Sequence, residues 1–196
     1  MSQIKKEQVR GAILDAAFQL FRDQGYNETS IPAIARAAGI STANVYVYFT
    51  SKMEILFTLY GPWLQERLDR LDRSLRRIRS SRQRMERLLL ALWRDLPRDD
   101  NGFTNNLVQA LSASATDDYN PQLREMFQGR VAGWVTESLG VPRREGEVLA
   151  GVLLMAFDGF AINVRLAHGM ACNSEMARLF AGLLSAPDGD EADPAD

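Results

Sequence analysis

The length, composition and charge of the chain exclude several classes of protein. With 196 residues, 46% of them hydrophobic and 24% charged, the composition is that of a globular protein rather than a disordered or fibrous one. The sequence contains no run of about 18 apolar residues, and charged residues interrupt its first 21 positions. We therefore expect a cytoplasmic protein with no membrane partner.

The net charge of −2 conceals an uneven distribution along the chain. Residues 1–84 contain 14 Lys and Arg against 8 Asp and Glu, whereas residues 85–196 contain 9 against 17. A basic N-terminal part is typical of a protein that faces a polyanion such as DNA. The acidic segment APDGDEADPAD, 186–196, supplies five of the negative charges, and its composition predicts a disordered tail. Charge alone therefore does not establish DNA binding.

The first 40 residues predict two helices. Apolar residues recur at three- and four-residue steps over residues 5–24, and Gly25 marks the end of this helix. Ser30 as an N-cap and Gly39 as a stop define a second, short helix over residues 31–38.

The segment GISTANVYVYFTSK, 39–52, is ambiguous by periodicity, because its alternating residues fit a strand as well as a helix. The flanks favour a helix over residues 42–49, since Gly39 ends the preceding helix and Ser41 or Thr42 supplies a new N-cap. Two short helices joined in this way form a helix-turn-helix, with the first helix packed across them.

The side chains of residues 42–49 suit a helix that enters the DNA major groove. Thr42 and Asn44 carry polar groups that can bond base edges or phosphates, and later tyrosine and lysine groups can donate to phosphates. Val45 and Phe49 should pack inward. The predicted DNA-contacting residues are Thr29, Ser41, Thr42, Asn44, Tyr46, Val47, Tyr48 and Lys52. Small helical cores without nucleic acid can adopt the same shape, so this alternative stays open.

Five separated motifs occur between residues 13 and 56: AAxxLFxxxGY, TS, IAxxAGIS, VYxYF and SKxxIL. Together they resemble the DNA-binding domain of TetR-family transcriptional regulators. Four positions differ from residues common in that family, namely Ala43, Val45, Tyr48 and Met53, which leaves open the bases that are read. The resemblance implies a homodimeric, sequence-specific regulator, a repressor that a small-molecule effector releases from an inverted-repeat operator in double-stranded DNA.

The resemblance also implies an all-α fold, in which a three-helix helix-turn-helix domain is joined by a long fourth helix to a helical dimerisation and effector-binding domain. The expected domains are residues 1–52, residues 53–185 with 53–80 as the connecting helix, and the tail 186–196.

The fourth helix is visible in the sequence itself. Leucine and isoleucine recur at three- and four-residue steps, and arginines occupy the other faces, which predicts a solvated arginine-rich surface. The apolar positions are Leu64, Leu68, Leu71, Leu75 and Ile78. Gly61 and Pro62 predict an interruption near the start, either a hinge or a simple break. Further helices are predicted over 82–96, 103–116, 119–139, 144–168 and 173–185.

The resemblance implies that two late helices of each subunit form a four-helix bundle, here 119–139 and 144–168. The candidate dimer residues are Trp134, Leu153 and Phe160, for which burial within one subunit is the competing explanation. The candidate effector-pocket residues are Trp93, Phe103, Asn106, Phe127, Met155, Phe157 and Asn163. Core packing competes with this role for each of them.

The remaining polar residues point to structural roles. Asp158, within an apolar helix, needs a partner, for which Arg130 and Arg165 are candidates. His168 is expected to stabilise carbonyls at a helix end, and the single cysteine, Cys172, to act as a small hydrophobic residue. The sequence shows no catalytic constellation or metal spacing, so we expect no enzyme activity and no cofactor. A helical enzyme or ligand carrier is the alternative.

Overall fold

The structure is a computed structural model that describes residues 3–98, 102–113, 122–164, 166 and 168–185. Within these ranges every regular element is a helix, which confirms the predicted all-α class. The α-helices are α1 (Gln3–Glu28), α2 (Ile31–Ala37), α3 (Thr42–Tyr46), α4 (Lys52–Leu75), α5 (Ser81–Leu90), α6 (Phe103–Ala113), α7 (Gln122–Leu139), α8 (Arg143–Asn163) and α9 (Ser174–Leu184). No helix within the described ranges combines the length and hydropathy that a bilayer span requires.

The chain folds into two compact units. Unit 1 comprises Met1–Gln65 and Asp99–Leu123, and therefore contains α1 to α3, the first part of α4, and α6. Unit 2 comprises Glu66–Arg98 and Arg124–Asp196, and contains the rest of α4 with α5 and α7 to α9. The division into domains at residue 52 stays a prediction, and the predicted tail 186–196 lies outside the described residues.

In unit 1, α6 bonds to the backbone of α1 near its C-terminal end. The buried amide of Asn106 donates to the carbonyl of Phe21 at 3.2 Å, and Gln109 Oε1 accepts from the backbone N–H of Asn27 at 3.0 Å. Gly25 has a φ of +84°, and a Cβ at this position would lie 2.9 Å from Gln109 Oε1. A glycine is therefore favoured by the left-handed backbone and by the close approach of α6.

Helix α4 continues through Gly61 and Pro62, so the predicted break is wrong, and the predicted hinge stays a prediction. Proline removes the N–H that would bond the carbonyl of Thr58. Because Pro62 is exposed, water can bond that carbonyl instead, and the helix persists. Four of the five predicted apolar positions are buried, namely Leu64, Leu68, Leu71 and Leu75. Ile78 is half-buried and lies beyond the end of α4 at Leu75, so the connecting helix is shorter than the predicted 53–80.

In unit 2, the predicted helix 82–96 is observed as α5 followed by a π-helical turn at Ala91–Asp95. The N–H of Leu96 bonds the carbonyl of Ala91 at 3.0 Å, the five-residue step that defines this turn. Trp93 lies within it, and its indole N–H donates to the carbonyl of Leu153 on α8 at 3.0 Å. The π turn therefore holds Trp93 against α8.

Helix α8 ends at Asn163, five residues before the predicted end at His168. The chain then folds back so closely that a Cβ at Gly169 would lie 1.7 Å from the carbonyl oxygen of Asn163. His168 is exposed in this segment and is not in the last turn of a helix, which corrects its predicted role. Cys172 is buried, as expected for a small hydrophobic residue, and burial raises the pKa of its thiol.

Candidate nucleic-acid interface

Local capping sets the geometry of the helix-turn-helix formed by α2 and α3. The hydroxyls of Ser30 and Ser41 each accept a hydrogen bond from the backbone N–H three residues later, at 3.3 Å and 3.2 Å. Gly39, with a φ of +70°, closes α2, and the N–H of Ile40 returns to the carbonyl of Ala35 at 3.0 Å. These are the N-cap and glycine C-cap signals by which the sequence predicted the turn.

Helix α3 is shorter than predicted, since it ends at Tyr46 rather than at residue 49. Val47 is its C-cap and Tyr48 lies in the turn that follows. Val45 and Phe49 are buried, which confirms that they pack inward. Because Val45 and Phe49 are buried on either side of Tyr46, Val47 and Tyr48, these three residues are held at the surface.

We call the exposed side of this segment the α3 face. Its members are Thr42, Asn44, Tyr46, Val47 and Tyr48. Tyr46 is 55% and Val47 73% exposed, and the other three are half-buried. The face thus combines a hydroxyl, an amide, two phenols and an aliphatic group, which suit base edges, phosphates and the thymine methyl group.

Two of the predicted contact residues use their hydroxyls inside the fold. Thr29 is only 1% exposed, and its hydroxyl donates to the carbonyl of Gly25 at 2.8 Å and accepts from the amide of Gln24 at 3.3 Å. Thr29 does not present its side chain to solvent, which corrects its expected position. Ser41 is exposed, but its hydroxyl caps α3.

Lys52 braces the end of α1 against the start of α4. Its Nζ donates to the carbonyls of Tyr26 and Thr29, both at 2.7 Å, and lies 4.1 Å from the centre of the Tyr26 ring. Burial lowers the pKa of this ammonium, and the nearby Glu28 carboxylate opposes that effect. Two of the three ammonium protons are thus bound by carbonyls of the protein, so the side chain positions the helix-turn-helix.

Unit 1 also carries basic residues that were absent from the predicted set. Arg10 lies over the ring of Phe49, with its guanidinium carbon 5.4 Å from the ring centre, next to the α3 face. Lys5 and Lys6 are exposed on the first turns of α1, and Arg36 is exposed at the end of α2. No sequence signal marked Arg10, because its contact with Phe49 joins residues that are far apart in the chain.

The predicted effector-pocket residues are divided between the two units. Phe103 and Asn106 belong to unit 1, where the ring of Phe103 packs on Trp63 at 4.9 Å, and the other five belong to unit 2. Met155 is 69% exposed, which corrects its assignment to a pocket wall.

Three of the candidates left in unit 2 are buried. Trp93 lies against α8, and Phe127 packs edge-on against Phe157 with their ring centres 5.6 Å apart. Asn163 is half-buried, and its amide donates to the carbonyl of Gly159 at 2.9 Å.

The side chains of the predicted dimer residues pack against other residues of their own subunit. Trp134 and Leu153 are 5% and 4% exposed, and Phe160 is half-buried with its ring 5.4 Å from Trp93. The burial of Trp134 and Leu153 within one subunit corrects their assignment to an exposed contact surface, whereas the assignment of Phe160 stays a prediction. Helix α7 exposes Glu125, Gly129, Gly133 and Glu137 rather than large apolar groups.

Large apolar side chains are instead exposed on α8 and α9. Val148, Val152, Met155 and Ile162 follow one another at steps of four, three and seven residues, which places them on one side of α8. Helix α9 exposes Leu179, Phe180 and Leu183. Phe160 of α8 and Phe180 of α9 both pack on the ring of Trp93. We call these seven residues the apolar stripe.

A charged groove of about 340 Å³ lies between α4 and α7 in unit 2. Asp72 accepts from the indole of Trp134 at 2.9 Å and from Arg76 at 2.7 Å, and Arg130 pairs with Asp69 at 2.9 Å. The bonds from Arg76 and Trp134 lower the pKa of Asp72. These hydrogen bonds and ion pairs hold α4 against α7.

Asp158 is half-buried on α8. Among the described residues it pairs with Arg124 at 3.8 Å, and not with the predicted partner Arg130. Arg130 pairs with Asp69, and the side chain of Arg165 lies outside the described residues. Burial raises the pKa of Asp158, and the Arg124 charge lowers it by less.

Comparison with known proteins identifies the helix-turn-helix. Residues 13–59 match the family of bacterial regulatory proteins described as the tetR family. The helix-turn-helix region of the chain is therefore similar to the DNA-binding part of that family. The regulator HbdR of Aromatoleum sp. (strain CIB) is 40% identical over 88 residues, which are 44% of this chain and 37% of HbdR. The chain thus spans little more than a third of that relative.

Solved structures extend the likeness to the whole fold. A transcriptional regulator FadR from Bacillus subtilis, in complex with stearoyl-CoA, aligns with a TM-score of 0.60 at 16% identity and covers 90% of this chain and 97% of its own. The regulator SCO7518 from Streptomyces coelicolor A3(2) aligns with a TM-score of 0.63 at 17% identity, covering 91% and 98%. These TetR-family neighbours share the N-terminal helix-turn-helix followed by a helical remainder.

Proposed function

We propose that the protein is a homodimeric, sequence-specific DNA-binding repressor of transcription that a small-molecule effector releases from its operator. The observation that carries the proposal is the α3 face, a mixed polar and aromatic surface on a capped recognition helix. A cytoplasmic location is part of the proposal.

The α3 face divides into two roles. Thr42 and Asn44, at the start of α3, read base edges, because the N-terminal residues of a recognition helix lie deepest in the major groove. Tyr46 and Tyr48 donate to phosphates and fix the position of the helix without reading sequence. Val47 adds an apolar contact to a thymine methyl group. Lys52 holds this arrangement in place rather than supplying a main phosphate contact.

The apolar stripe supports a twofold dimer built from α8 and α9. Seven exposed apolar side chains on these two helices are costly in water and are covered when a second copy packs the same residues against them. Two α3 faces related by a twofold axis then require an inverted-repeat operator, whose half-sites are multiples of about 34 to 36 Å apart.

The effector site is proposed for unit 2. The edge-on pair Phe127 and Phe157 supplies an apolar wall, and the Arg124–Asp158 pair supplies polar groups on the same two helices. A ligand with an apolar body and a charged end fits this composition. A long-chain acyl-CoA is the first compound to test, because FadR, with the same fold, binds stearoyl-CoA.

Selection from a random duplex library, followed by salt titration, tests the DNA-binding proposal. We expect an enriched inverted repeat and an affinity that falls steeply with salt, since each neutralised phosphate contributes about −0.9 to the slope of log K against log salt. Failure to retain any duplex at about 50 mM salt would instead favour the helical enzyme or carrier, for which the helix-turn-helix is only a scaffold.

The effector part has its own test. Linkage requires that operator DNA weaken effector binding by the same factor as the effector weakens operator binding, typically about 5- to 150-fold. Stearoyl-CoA titrated with and without saturating operator measures this factor. Binding of equal strength in both titrations would show a ligand without regulatory coupling.

A further inference from the structure

The turn between α4 and α5 carries a dense group of arginines that the α3 face does not use. Six arginines fall within residues 73–84, and this segment contains no Asp or Glu. We call the group the arginine corner; its members are Arg73, Arg76, Arg77, Arg79, Arg82 and Arg84. Like charges at this density repel one another unless an acidic partner or counterions lie against them.

Acidic groups of the described chain neutralise little of the corner. Among described residues, Asp72 pairs with Arg76 at 2.7 Å, while the other four exposed members have no carboxylate within ion-pair distance. The Nε of Arg84 is buried, and no described residue supplies it with a hydrogen-bond acceptor. Within the described residues, five of the six arginines therefore have no paired carboxylate.

The end of α9 lies directly beside the corner. Helix α5 packs on α9, and the guanidinium of Arg82 lies so close to Gly182 that a Cβ there would be 3.3 Å from Arg82 Nη2. Helix α9 ends at Leu184, and residue 186 comes only four positions after Gly182, the residue that lies against Arg82. The chain therefore leaves α9 at the corner.

The segment that follows has the complementary charge. Residues 186–196 contain Asp188, Asp190, Glu191, Asp193 and Asp196 and no basic residue. Eleven residues span at most about 36 to 40 Å when extended, which is enough to reach every member of the corner. We propose that the acidic segment 186–196 binds the arginine corner of its own chain.

This contact shields the corner from other polyanions. A segment tethered next to its site has an effective concentration of about millimolar, so it competes well with free polyanions for the same arginines. With the corner covered, nonspecific attraction to phosphates is reduced, and recognition of DNA depends more on the α3 face.

A spin label on the segment tests the contact directly. The label is attached at Ala195→Cys in a Cys172→Ala background, and the arginine Nε–H signals are recorded by NMR. We expect the corner signals to broaden at about 50 mM salt and to recover at about 500 mM, as screening weakens the contact. Arg143 and Arg144, at the start of α8, are the internal control. Corner signals that stay as sharp as the control signals at low salt would overturn the proposal.

Heparin, as a model polyanion, tests the shielding. A variant with all five acids changed to Asn or Gln should bind heparin about tenfold more tightly than the original chain. Changing Arg77, Arg79 and Arg82 to Gln should abolish that gain. A matched variant at three other arginines, Arg143, Arg144 and Arg178, should leave it intact. Equal heparin affinity with and without the acidic charges would show that the corner is an open polyanion site and would refute the shielding.

Discussion

Helices α3 and α8 both expose large apolar side chains, but these side chains have different neighbours. On α3, Tyr46 and Val47 stand beside the polar groups of Asn44. On α8, Val152 and Met155 belong to a row with no hydrogen-bonding group. A mixed surface suits base edges and phosphates, whereas an uninterrupted apolar row suits another protein surface. The chemistry around an exposed hydrophobic residue therefore indicates which partner it meets.

We expect the largest effects from substitutions at two adjacent residues of α8, one exposed and one buried. Val152 is 56% exposed and Leu153 is 4% exposed. Val152→Asp should leave a folded monomer with operator affinity lowered more than about 100-fold, because it places two unpaired charges in the dimer contact. Leu153→Asp should unfold the subunit. Sedimentation and circular dichroism distinguish these outcomes, and a dimeric Val152→Asp at micromolar concentration would contradict the proposed interface.

On α3, the corresponding change is Asn44→Ala. We expect a loss of about 1 to 3 kcal/mol at one or two base pairs, with little effect on the others, because one side chain reads few bases. Gln65→Ala, which removes an exposed amide from α4, is the control. Binding to a panel of single-base operator variants measures the effect, and a uniform loss across the panel would show that Asn44 contacts the backbone instead.

The Lys52→Met variant tests whether Lys52 positions the helix-turn-helix or contacts a DNA phosphate. The change removes the two hydrogen bonds to carbonyls, so we expect a loss of about 1 to 3 kcal/mol in the free energy of unfolding. All duplexes should be bound more weakly and with unchanged base preference. Denaturant unfolding combined with a salt titration checks both parts. Unchanged stability with a salt slope shallower by about one unit would assign Lys52 to a phosphate.

The smallest effect is expected at Asp158, on the side of α8 that faces Arg124. Because its folded pKa is raised, its favourable contribution is complete below the unfolded value of about 3.9 and is lost as pH rises through the folded pKa. Asp158→Asn should thus be more stable than the original chain at pH 7, by a few tenths of a kcal/mol after solvent screening. The difference should vanish near pH 3.5. A less stable variant at pH 7 would mean that the Arg124 pair dominates.

Local signals predicted the N-terminal architecture correctly. Ser30, Gly39 and Ser41 act within three residues of themselves, so their caps and turns can be read from the sequence. The inward direction of Val45 and Phe49 followed from helical spacing. The burial of Thr29 could not be predicted in this way, because its hydroxyl bonds the carbonyl of Gly25, where non-helical backbone kinks α1.

The features that the sequence did not predict depend on contacts between residues that are far apart in the chain. Placing Asn106 against Phe21 requires α6 to pack beside α1, which no local pattern specifies. The apolar composition of α8 predicted a helix covered on several sides, but not which side faces the core, since Leu153 and Val152 are equally apolar. The role of Lys52 likewise depends on carbonyls more than 20 residues away in the chain.

In the proposed dimer, which forms through the apolar stripe, the α3 faces of the two copies read one DNA site together. Once an operator has been selected, inserting five base pairs between its half-sites tests this most directly, because half a helical turn moves the second half-site to the opposite side of the duplex. We expect the affinity to fall to that of a single half-site, and an insertion of ten base pairs to restore part of it. Unchanged affinity after the five-base-pair insertion would contradict joint recognition by a rigid dimer.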